Sequence, residues 1–220
     1  MPASVILILV LVIVGVIALA WWAHELEQKR IAAVGRWSAA RGWAFDPTER
    51  DDPGRNSGIP HLERGQRRYG QCWISGTWKD RAFRMCEYHY QITTSNGKSS
   101  STRHYWSTVL WMDSPRVLKA LAIRPERWSD KVAGFLGFHD IEFESTAFNR
   151  AFHVTAADRR WASLALPPAS LELLLEHPTL EVHTQPRSVV VIASERLDPH
   201  LLNQPLRLAD GLLNHIPDFA

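Results

Sequence analysis

From Val5 to Ala23 the chain carries no polar side chain, and beyond Ala23 apolar positions recur only at the intervals of helices and strands. The apolar run, at about 1.5 Å per helical residue, spans roughly 28 Å, close to the hydrocarbon core of a bilayer. Only a helix satisfies its own backbone there. Trp21 and Trp22 close the run where an interfacial aromatic belt belongs. Residues 1–23 are therefore expected to form a transmembrane anchor. A second reading is a cleaved signal peptide ending at Ala18-Leu19-Ala20, which would release an exported soluble domain. The absence of an early Lys or Arg and the charged helix that follows at once favour a retained span.

His24 to Arg41 follows a helical period, with Glu25 four residues before Lys29 and a stripe of Leu26, Val34, Trp37 and Ala40; Gly42 ends it. The pattern predicts a juxtamembrane helix over residues 24–45. Residues 46–66 hold three prolines and three glycines and show no period, which predicts a linker or irregular loop whose charges face water. The remainder, 67–220, is expected to be one domain.

Within it the period becomes that of strands. Residues 71–112 alternate bulky and polar positions around two turn candidates, "TWKDR" and Asn96-Gly97. If Asn96-Gly97 is a two-residue loop, Tyr88 faces Tyr105, Tyr90 faces Arg103, His89 faces His104 and Phe83 faces Leu110. Cys86, Tyr88, Tyr105 and Val109 then share one face; Phe83, Met85, Trp106 and Leu110 share the other. The Ser/Thr-rich tip is expected in water. Further strands are predicted in 117–125, "DIEFES", "RAFHVTA" and the two arms of "TLEVHTQPRSVVVIAS", the last apolar throughout and so central. Helices are predicted at 130–136, from a Thr155-x-x-Asp158 capping box to Leu166, in "PASLELLLEH" with Leu171, Leu174 and Leu175 inward, and after Asp198-Pro199 with a stripe through Leu202, Leu206, Ala209, Leu213 and Ile216. The fold class is thus α+β: an N-terminal transmembrane helix, a mainly antiparallel sheet with packed helices, and a C-terminal helix.

Composition changes this picture little. A net charge of +2 in 220 residues gives no basic field for nucleic acid. Charge does set a topology: Lys29, Arg30, Arg36 and Arg41 all follow the span, so the positive-inside rule places the domain in the cytoplasm of a single-pass plasma-membrane protein. There Cys72 and Cys86 are expected as buried thiols, although adjacent strands would also permit a disulfide.

No phosphate-binding, dinucleotide-binding, nucleophile-elbow or zinc-protease motif occurs. His89 and His104 across the hairpin, with Glu87, are the residues best placed to ligate a metal, but two surface histidines meeting by chance is the simpler account, and no metal site is expected. Asp158-Arg159-Arg160 suits an anion at a helix start, yet serves a helix cap and surface cover as well. "FNRAFHVTAADRRW" offers a structural role for each of its conspicuous residues, with Asn149-Arg150 a turn between strands. Trp73, Trp78, Trp106 and Trp111 cluster near the hairpin and suit an interaction surface.

Three stretches, "RWSAARGWAF", "GQCWISGTWKDRAFRMCEYHY" and "STAFNRAFHVTAADRRWASLALPP", together resemble an uncharacterised family of actinobacterial membrane proteins with N-terminal spans and a following domain. That family's phenylalanine-aspartate before the aromatic strand is here Cys86-Glu87, and the resemblance implies no catalytic residue. The expected function is a non-enzymatic interaction domain on a membrane anchor, without cofactor. Its partners would be the bilayer, through Trp21, Trp22, Lys29 and Arg30, and another membrane or cytoplasmic protein. A ligand-binding or enzymatic domain of unrecognised type is the alternative.

Overall fold

The computed structural model describes residues 3–50, 52–97, 99–126 and 139–217, so the helix expected at 130–136 lies outside the described residues. One helix, α1 (Ala3–Ala39), runs unbroken through both the apolar segment and the charged one. Gly42, at φ +71°, turns the chain back, as only a residue without a Cβ does at no steric cost. Nine strands follow: β1 (Ala44–Asp46), β2 (Gln66–Trp78), β3 (Arg81–Ser95), β4 (Ser100–Asp113), β5 (Leu121–Pro125), β6 (His139–Asp140), β7 (Phe152–Ala156), β8 (Glu181–Gln185) and β9 (Ser188–Ala193). They form one antiparallel sheet in the order β1-β2-β3-β4-β9-β8-β5-β7-β6. The fold is α+β. The all-apolar β9 lies at the centre of the order, because a strand covered on both faces needs no polar alternation.

The first face of the sheet carries the main core. Met85, Leu110, Ile123, Val182 and Val191 meet α1, α3 (Thr146–Ala151), α4 (Arg159–Ala165), α5 (Pro168–Leu175) and α6 (Asn203–His215) there. The predicted stripe of α6 is buried from Leu202 to Ile216. The second face carries a smaller core of Cys86, Tyr88, Tyr90, Val109, Trp111, Val190 and Ile192. Residues 46–66 cover it. They are irregular, as their composition predicts, but not a solvated linker: Ile59 and Leu62 of α2 (Pro60–Glu63) enter the second core, and Asp52 is buried against Arg68 at 2.8 Å.

Several local expectations change. The β3–β4 loop holds four residues, Asn96 to Ser99, so Tyr90 faces Tyr105, His89 faces Trp106 and Phe83 faces Met112. Asn96 closes this loop by accepting from the Ser99 amide through Oδ1 at 2.9 Å. A slip of two residues preserves side-chain parity, so the two faces survive the wrong register. Lys79 and Asp80 form the β2–β3 turn with φ of +44° and +69°, the twist-matched geometry of a two-residue hairpin. β2 is bulged at Cys72 (φ +52°), which puts Cys72 in the first core while Cys86 joins the second; both are free thiols. Burial pushes Cys72 up to about 11.

"DIEFES" yields only the short β6, and Asn149-Arg150 is helical rather than a turn. Ser145 caps α3 by accepting from the Phe148 amide, and the Asn149 side chain bonds both backbone groups of Phe143. The cap of α4 is Asp158 and not Thr155, which stays in β7. Asp198-Pro199 opens a turn, and α6 begins at Asn203. On α1, Val34 and Ser38 face the sheet, whereas Leu26 and Ala40 of the expected stripe are exposed.

Candidate docking site at the membrane-facing end

Among the described residues one helix is long and apolar enough to cross a membrane, and none of its most apolar window is buried in the protein. Trp21 and Trp22 stand 68% and 58% exposed at the end of the bare half. One turn further on the same helix becomes a docked element, and a charge network marks the change.

Glu87 lies in the aromatic run of β3, on the first face, with its side chain fully buried. Arg30 of α1 reaches its carboxylate at 2.8 Å, and Arg196, from the loop after β9, reaches it at 2.7 Å. Gln71 Nε2 donates to it at 2.8 Å and the Leu197 amide at 3.2 Å. Glu27, one turn before Arg30, holds both guanidinium groups, at 2.7 Å from Arg30 and 2.8 Å from Arg196. Two carboxylates thus meet two guanidiniums, and the network is neutral as a whole. Arg196 also stacks its guanidinium 4.3 Å from the Trp106 ring. An isolated buried carboxylate is untenable, so the network forms only when α1, β2, β3 and the loop after β9 are all in place.

Arg196 forms the wall between two depressions. One, of about 400 Å³, is lined by Thr108, Leu180, Ala193, Leu202 and Pro205; the other, of about 450 Å³, runs along Arg30, Ala33 and Leu197 to Leu201. Arg30 and Arg196 on their walls are turned to Glu27 and Glu87 behind them.

A second polar cluster lies on the other face. Glu181 of β8, 4% exposed, is held by His61 of α2 at 2.9 Å and His183 at 2.6 Å. Burial acts to raise its carboxyl, but the hydrogen bonds from the two imidazoles prevail and hold it below the usual range. At the far end of the sheet Asp210 of α6 binds Lys79 at 3.0 Å and Arg81.

The residues singled out in the sequence are distributed as follows. Lys29 is exposed and pairs with Glu25 at 3.5 Å. Arg30 is not a lipid-facing residue: it turns inward to Glu87, because a buried carboxylate outbids solvent for its guanidinium. Arg36 lies about 20 Å beyond Ala23 along the unbroken helix, well past one screening length from a lipid surface. Arg41 stacks on Trp37 at 4.1 Å. His89 and His104 do meet, Nε2 to Nδ1 at 3.0 Å, diagonally across the ladder. Burial, with His104 adding to it, lowers the His89 pKa. Glu87 is spent on arginines, and among the described residues no group of three His, Cys, Asp or Glu side chains is gathered to hold a metal ion. Asp158 caps α4 and pairs with Lys119 at 2.5 Å, while Arg159 donates to the Asp140 carbonyl at 2.8 Å. Of the tryptophans, Trp73 and Trp111 stack at 6.2 Å, and Trp106 underlies Arg196. Sequence reasoning missed Glu27, Gln71 and Arg196. The available signal was Glu87 itself, an acid at an inward position of an apolar strand.

No family model and no curated protein matches this chain. Its fold is similar to the crystal structure of the mycobacterial trehalose monomycolate transport factor A, TtfA, with a TM-score of 0.62 and 10% identity over 86% of this chain and 95% of that one. The likeness is one of fold. It is consistent with the resemblance to actinobacterial membrane proteins without establishing a family.

Proposed function

We propose that this protein is a single-pass membrane-tethered interaction protein without enzymatic activity, whose α+β domain sits on the cytoplasmic side and docks a second protein. The observation that carries this reading is the single helix α1, bare through its apolar half and locked to the sheet through Arg30 and Glu87 in the next turns. Such a lock fixes the domain's orientation to the bilayer, which a substrate-binding domain on a slack tether does not need. The groove beside Arg196, presented near the membrane at a fixed height, is the docking site. Lys29 and the other basic residues after the span support the cytoplasmic side. A fold shared with a transport factor supports a role among membrane components rather than in catalysis.

The test is photo-crosslinking in native membranes from a full-length chain carrying the crosslinker at Leu201, combined with the intact mass of the chain. A discrete protein adduct that weakens in Arg196→Ala, on a chain retaining residues 1–20, is the expected result. A mature chain starting at Trp21, or crosslinks to lipid and solvent alone, would overturn it.

A further inference from the structure

The distal part of the β3–β4 hairpin is the element that neither core nor charge network explains. β2 pairs with β3 only as far as Gln91, and β9 pairs with β4 only from Thr108 onward. From Ile92 to Arg103 neither outer edge pairs with a further strand among the described residues. A free two-stranded hairpin is marginal in water, and bare edges are normally blunted or covered.

Its direction follows from the contacts of α1. Arg30 meets Glu87; Gly35 packs on Phe45, which is level with Ile74 and Met85; Trp37 meets Trp43, which packs on Phe83. Descending α1 thus descends β3 toward its N-terminus, and ascending α1 toward the bilayer ascends β3 toward the hairpin tip. From Arg30 back to Ala23 is seven helical residues, about 10 Å. From Glu87 to Ser95 is eight strand residues, about 26 Å. The hairpin has about 16 Å more than it needs to reach the level at which the apolar span begins, so it meets that level only with its strands inclined to α1. Every described residue of the span is exposed, and the hairpin's hydroxyl-rich strands are excluded from hydrocarbon, which leaves the headgroup layer as the level they can occupy.

Its chemistry fits that layer. Between Tyr88 and Met112 there is no Asp or Glu, while Lys98 and Arg103 are basic. A groove of about 390 Å³ is lined by Ile92, Thr94, Asn96, Ser101, Arg103 and Tyr105, a guanidinium among hydroxyls and an amide. Tyr105, stacked on Tyr90 at 5.0 Å, supplies the amphipathic ring favoured at membrane interfaces.

We infer that the β3–β4 hairpin is a second membrane contact, its Arg103 groove binding the phosphates of anionic phospholipids in the bilayer that α1 spans. This rests on the tethered reading above and adds to it what holds the domain against the surface. The lock sets the domain relative to α1; a second contact with the same bilayer limits the tilt of helix and domain together, and so the angle at which the groove beside Arg196 is presented.

The experiment uses the full chain in vesicles of phosphatidylcholine, with or without phosphatidylglycerol, that contain a headgroup-nitroxide lipid. A fluorophore is placed at Ser101→Cys, or at the exposed Val117→Cys near the opposite end of the sheet; Cys72 and Cys86 are buried and do not compete for label. The expected result is quenching several-fold stronger at residue 101 than at 117, strongest with phosphatidylglycerol, and reduced by added salt and by Arg103→Glu. Flotation with the vesicles but equal or absent quenching at both positions would overturn the hairpin contact while leaving the tether intact. Failure to float would overturn both. Quenching that ignores lipid charge, salt and Arg103→Glu would overturn the phosphate assignment.

Discussion

Among the described residues each face of the sheet carries one buried strand glutamate, and the two are paired with different chemistry. Glu87 meets two guanidiniums, those of Arg30 and Arg196; Glu181 meets two imidazoles, those of His61 and His183. The first carboxylate joins elements far apart in sequence, α1 and the loop after β9, onto the helix-covered face. The second joins the irregular segment 46–66 to the opposite face. Partner type thus separates a guanidinium lock between α1 and the sheet from an imidazole latch under a loop, and the latch is acid-sensitive because its carboxyl, Glu181, is held below the usual range.

The largest effect that could break this contrast is at Glu87. Glu87→Ala removes the fully buried acid of the network, leaves two part-buried guanidiniums with Glu27 as their remaining partner, and should cost about 3–5 kcal/mol, read as the urea midpoint of the detergent-solubilised full chain. A change near zero would mean that the network is ornamental. On the other face, Leu62→Ala should cost about 2–5 kcal/mol if residues 46–66 are a packed cover, whereas a solvated loop would not register it.

Glu181→Gln is expected to lose about 1–3 kcal/mol near neutral pH by weakening a buried pair. Its pH signature is the sharper test. The folded-state carboxyl lies below its unfolded value of 4.5, so the unfolded chain takes up the proton first; the stabilisation is present above that value and is lost as pH falls through and below it. The gap between wild type and Glu181→Gln should therefore narrow on acidification. A gap that is constant from neutral pH down past the carboxyl range would refute the latch. Smallest of all, Ser145→Ala removes the α3 cap on the first face and should cost about 1 kcal/mol, with no pH dependence in that window.

How much of this was legible in the sequence depends on the range of the interactions. The slip in the β3–β4 pairing left the faces intact, because side-chain direction follows parity along the strand, whereas the loop length that sets register depended on Asn96 bonding Ser99. Asp158 was visible as a helix-start residue, but Thr155 carried an equally good local signature and was taken by the ladder with β5 instead. Arg30 resembled any other juxtamembrane basic residue. Only the position of Glu87, 57 residues later in the chain, turned it inward.

By itself the sequence determined the apolar span, the class of the fold, the central placement of β9 and the inward stripe of α6, since each is a periodicity of side chains along one element. The tertiary structure alone decided that α1 continues unbroken into the domain, that residues 46–66 close a second core, and which arginines and histidines neutralise the two buried acids. Those outcomes rest on desolvation: a buried charge or an uncovered apolar face is costly wherever it lies, but the group that relieves the cost is chosen by proximity in space, which local pattern does not encode.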